Sequence, residues 1–191
     1  MAASFKRRWL TVSTLLFSCH TWAHSGGEAV SGGFLPGAAH PFSGLDHLLA
    51  MLAVGLWAAQ NGGRWLWALP LTFVTLMQAG ALGAMAGWNF PYAEQAILGS
   101  LLFFGLMVAS ACPAGKIGGG LLVAVFAVFH GYAHTVEMPA TLNSFSYSLG
   151  FLLSTALLHC VGIGAATLVR QQLTRWVGVG IAFSGVCLAV V

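Results

Sequence analysis

From residue 45 onward the sequence is a succession of long apolar runs separated by short breakers. A run of about 20 apolar residues crosses about 30 Å of hydrocarbon as a helix, and this constrains the fold more than any other feature. Only 6% of the residues are charged and 58% are hydrophobic, whereas a soluble domain carries about 25% charged residues. So few charges cannot cover a water-facing surface. The pattern predicts an all-α, polytopic membrane helix bundle of about six spans, near 45–60, 65–87, 92–111, 117–135, 145–169 and 175–191. Asn61-Gly62-Gly63, Asn89-Phe90-Pro91, Pro113-Ala114-Gly115, Pro139 and Arg170-Gln171-Gln172 separate them. The last span is short. Twenty-five glycines would weaken soluble helices, but in lipid small residues let helices approach closely. Gly80-Ala81-Leu82-Gly83-Ala84 reads as such a packing face.

The N-terminus reads as an address. Lys6-Arg7-Arg8 precedes an apolar stretch from Trp9 to Cys19 that is short for a span, and Thr21-Trp22-Ala23 fits a small-x-small cleavage signal. Residues 1–23 are therefore expected to be a signal peptide, and 24–191 a single transmembrane domain. Cleavage would leave His24 as the mature N-terminus, on the outer side of the bacterial cytoplasmic membrane. The alternating scheme then places Arg64, Lys116, Arg170 and Arg175 in cytoplasmic loops, as the positive-inside rule requires. The acids Glu28, Asp46, Glu94 and Glu137 fall at the opposite face. The scattered basic residues give no nucleic-acid surface. Cys19, Cys112, Cys160 and Cys187 show no metal-binding or CxxC spacing, and no disulfide is expected. Trp65, Trp67, Trp88 and Tyr92 suit an interfacial aromatic belt.

Two polar motifs fall at the predicted outer face. The first, His40-Pro-Phe-Ser-Gly-Leu-Asp46-His47, contains Pro41 and Gly44, which mark a bent approach to the first span. The second, His130-Gly-Tyr-Ala-His134-Thr-Val-Glu137, ends the fourth span. At about 100° per residue, His130, His134 and Glu137 share one helix face. Ionisable groups within a membrane segment cost about 2.5–3.5 kcal/mol on insertion scales and generally have a purpose. Taken singly, Asp46 also suits a helix N-terminus, and His130 a satisfied buried histidine. Together, imidazoles and carboxylates suit nickel, cobalt, zinc, copper or iron better than calcium or magnesium. The candidate metal ligands are His40, Asp46, His47, His130, His134, Glu137 and, as a chelating terminus, His24. His159, in the fifth span, is either a packing residue or a second station. Glu94 reads as a helix-start charge, and Met51 and Met77 as packing.

The text from His40 to Ala58 and from Phe129 to Glu137 resembles the HupE/UreJ family of nickel-uptake membrane proteins, which are associated with hydrogenase and urease maturation. Thr135 stands where the family pattern has glycine. The resemblance implies a secondary permease for nickel, or cobalt, that is not an enzyme and holds no permanent cofactor. Its partners would be the divalent ion and the lipid bilayer, with homo-oligomerisation left open. It carries a role to His40, Asp46, His47, His130, His134 and Glu137. The alternative is a membrane metalloenzyme of hydrolase type, with Asp46 or Glu137 as general base to a metal-bound water.

Overall fold

The structure, a computed structural model, describes residues 32–111 and 116–190. The expected signal peptide, its cleavage site, His24, Glu28, Cys19 and Cys112 lie outside the described residues. Those described form helices and no strands: α1 (Phe34–Ser43), α2 (Leu45–Asn61), α3 (Trp65–Met85), α4 (Ala93–Ser110), α5 (Lys116–Glu137), α6 (Ser144–Leu168) and α7 (Gln171–Val190). Among the described residues, helices α3 to α7 are each long and apolar enough to cross a membrane, and the bent pair α1–α2 passes the same test taken together, which gives five crossings, or six with that pair as one broken span.

Two elements differ from the sequence expectation. The approach to the first span is itself a helix, α1, set at 85° to α2. Its prolines do not prevent this. Pro36 lies in the first turn, where no intrahelical N–H partner is needed, and Pro41 lies two residues before the end, so the lost hydrogen bond breaks little helix. Gly44, extended at φ −104° and ψ 121°, stops α1 and starts α2. The last helix begins at Gln171 rather than near residue 175, because glutamine is a good helix former and the break narrows to Val169-Arg170.

Helix α2 is the axis of the bundle, packed against α3, α4 and α6. Ala50, Met51, Ala53, Val54, Leu56, Trp57 and Ala58 are all buried. Its alanines and Gly55 explain how one helix accommodates several neighbours, since a small side chain lets another backbone come close. Gly55 meets the His159 backbone of α6, and Gly162 of α6 meets the Leu52 backbone in return. The same reciprocity joins α3 to α5, where Gly80 faces the Val128 backbone and Gly131 faces the Met77 backbone. The predicted small-residue face on α3 is thus a packing face. Outward lie Leu71, Leu82, Leu106, Ile117, Leu121, Leu153, Leu157 and Phe183, all exposed, an apolar skin suited to lipid.

Charge is sorted by end. Lys116 Nζ donates to Asn61 O at 3.3 Å and Arg175 Nε donates to Ala109 O at 2.8 Å, so both cations cap the end where Arg64 and Arg170 also sit. Asp46, Glu94 and Glu137 stand at the other ends of their helices. Trp67, Trp88 and Tyr92 are exposed near helix ends, as belt residues would be. Cys160 and Cys187 are free thiols on exposed faces of α6 and α7.

Candidate metal centre

Seventeen residues of α2 rise only about 26 Å, short of the roughly 30 Å hydrocarbon thickness. Its neighbours α3 and α6 are longer, with 21 and 25 residues, and α1 meets the N-terminal turn of α2 at 85°. That geometry creates a polar pocket inside protein rather than on its surface. The 85° bend turns His40 of α1 back over His47 of α2, with ring centroids 6.1 Å apart.

The second motif meets the first from α5. The His134 ring lies 4.9 Å from His40 and 4.3 Å from His47, and His130 lies 5.6 Å from His47. His40 Nε2 is 3.2 Å from Glu137 Oε2. One ligand atom each from His40, His134 and Glu137 fall within 4.8 Å of one another, a separation that one ion can bridge. Four of the histidines proposed from sequence therefore converge, in a graded series. His40 and Glu137 are partly exposed, His47 is 7% exposed, His134 3% and His130 0%.

Hydrogen bonds orient two of these rings. His47 Nδ1 donates to Asp46 Oδ1 at 2.7 Å, and His130 Nδ1 donates to Phe126 O at 2.9 Å. Each bond holds the proton on Nδ1 and leaves a lone pair on Nε2. Both Nε2 atoms are buried without a protein partner, as are both nitrogens of His134. A histidine whose second nitrogen is tied to a carboxylate or a backbone carbonyl is the usual arrangement of a metal ligand. Asp46 also accepts from the His47 backbone N–H at 2.8 Å. It lies outside the group formed by His40, His134 and Glu137, and acts on the His47 ring. Asp46→Asn is expected to keep the helix and lower the affinity for a divalent transition-metal ion about 10–100-fold, the usual loss when the partner behind a ligand is removed. Isothermal titration of the purified variant checks this, and unchanged affinity would leave Asp46 with a helix-end role only.

Sequence reasoning read Glu94 as a helix-start charge. It is one, in the first turn of α4, but it also lines a surface cleft shared with Tyr92, Tyr132 and Glu137. Nothing local in the sequence links positions so far apart. Thr135, at the departure from the family pattern, donates its hydroxyl to Gly131 O at 3.0 Å. It is thereby satisfied within α5 and displaces no proposed ligand. Deeper still, the Phe73 ring of α3 lies 5.3 Å from His130 and 5.2 Å from His159.

The chain matches the family described as HupE / UreJ protein over residues 12–188. It is similar to Protein HupE of Rhizobium leguminosarum bv. viciae, 38% identical over 184 residues that cover 94% of this chain and 95% of that one. No solved structure matches it. The match to the family runs through both histidine motifs and from α1 into α7, and on it the chain belongs to the HupE/UreJ family.

Proposed function

We propose that this chain is a secondary permease that takes up a divalent transition-metal ion, nickel first and cobalt second, in the bacterial cytoplasmic membrane. The ion would serve hydrogenase or urease maturation, the processes with which the family is associated. The observation that carries this reading is the inward series of imidazoles with unpartnered nitrogens, two of them held by hydrogen bonds at the far nitrogen. The acidic end faces outward, because the four basic residues gather at the opposite end.

The hydrated ion is drawn to the carboxylates of Glu94 and Glu137 in their common cleft. His40 and Glu137 take it first, being the most exposed of the ligands. It then exchanges water for His134, His47 and His130 in turn. Metal–imidazole bonds are about 2 Å long, so rings 4.3 to 5.6 Å apart can share an ion during each exchange. His24 adds a chelating amine and ring at the outer surface if cleavage exposes it.

Purified protein in vesicles loaded with a metal-sensitive dye is expected to admit nickel without ATP. No influx of nickel or cobalt would sink the reading. Influx is expected to fall as the pH is lowered, because ligation needs neutral imidazole and protons compete for the same nitrogens.

A further inference from the structure

His159 is not used by the series just described, yet it is a polar group buried within the bundle. It is 1% exposed and neither ring nitrogen has a partner. An unpaired buried polar group destabilises a fold, so a histidine that served only to fill space would be out of place here. It lies twelve residues along α6 from Tyr147, about 18 Å deeper. Tyr147 itself packs beside His40, with ring centroids 5.9 Å apart. His159 is thus well inward of the outer ligands.

Its surroundings offer further donors. Thr155, one turn earlier on α6, is 0% exposed, and its hydroxyl finds only the Met77 sulfur of α3, at 4.0 Å. Phe73 and Met77 are one turn apart on α3, as Thr155 and His159 are on α6. The two pairs face each other, Met77 against Thr155 and Phe73 against His159. The other side of Phe73 carries His130. One aromatic ring therefore separates the deepest outer ligand from a buried imidazole, thioether and hydroxyl.

Resting on the permease reading, we propose that His159, Met77 and Thr155 form an inner transfer station for the ion, entered from His130 past the Phe73 ring. The donor set has chemical logic. Imidazole and thioether suit nickel, cobalt, copper and zinc, and exclude magnesium and calcium. It contains no carboxylate, so an ion there is held more weakly than at His40 and Glu137. A weak neutral station in a low-dielectric interior cannot retain a divalent ion. The ion occupies it briefly and moves on, which is what inward release requires. The station filters cargo after capture has already taken place.

The test measures nickel binding and nickel influx separately on the full chain. Wild type, His159→Gln and Met77→Leu are purified, titrated with nickel in detergent, and assayed for influx in dye-loaded vesicles. Both variants are expected to bind nickel within about twofold of wild type, because the outer ligands are untouched, while influx falls at least about tenfold, in line with loss of a metal-site group. Met77→Leu conserves core volume and so keeps the bundle packed, which preserves the test if His159→Gln fails to fold. Wild-type influx in Met77→Leu, or in a folded His159→Gln, would overturn the station. So would loss of binding together with influx, since these residues would then be supporting the outer ligands. If wild type itself carries no nickel, the permease reading fails, a result distinct from these.

Discussion

His134→Leu is expected to abolish nickel influx, by about 100-fold or more, while leaving the protein as stable as wild type or more stable. Both effects come from the same two atoms. The His134 ring is the node of the cluster, 4.9 Å from His40 and 4.3 Å from His47. Its nitrogens are both buried and both unpartnered, each a cost of about 1–3 kcal/mol to the fold. Leucine has a similar volume and can keep the contact with Phe151, whose ring centroid is 3.8 Å from that of His134. Removing the nitrogens thus removes a penalty along with the ligand. Influx in vesicles and thermal unfolding in detergent check the two halves. A variant that loses stability but transports normally would mean that the ring is there for packing.

Gly131→Ala should be among the most damaging single-methyl changes in the chain. A Cβ at Gly131 runs into the Met77 backbone carbonyl of α3, and a backbone cannot swing aside as a side chain can. Overpacking of this kind costs about 1–3 kcal/mol and at times more. Because Gly131 follows His130 directly, pushing α5 away from α3 also moves both of its histidines relative to His40 and His47. Gly118→Ala is the control on the same helix, since nothing lies within 4 Å of its added methyl. It is expected to be neutral or to stabilise slightly, as alanine is the better helix former by about 1 kcal/mol. Unfolding midpoints of the two variants decide the matter. Equal midpoints would show that the α3–α5 contact yields easily.

The spans were legible because lipid imposes one strong rule. Every backbone polar group must be satisfied within its own segment, so apolar length translates directly into helices. The segregation of Arg64, Lys116, Arg170 and Arg175 from Asp46, Glu94 and Glu137 was legible for a similar reason, since charge at a helix end is a local property. His130, His134 and Glu137 could be placed on one face from spacing alone. Helix α1 was not visible as a helix, because Pro36, Gly37 and Pro41 are individually poor helix residues. Its docking on α6, where Gly37 meets the Tyr147 backbone, is a long-range contact that local propensity does not record.

Membrane class, the number of crossings, the polarity of the two ends and the identity of the histidine motifs were thus contained in the linear order of residues, because each depends on hydropathy, period or local charge. How the motifs meet was not. The 85° bend at Gly44, the pairing of Asp46 with His47, the cleft shared by Glu94 and Glu137, and the alignment of His130, Phe73 and His159 across three helices all depend on which backbone packs against which. That choice rests on close contacts between glycines and distant carbonyls, which become definite only when the helices assemble.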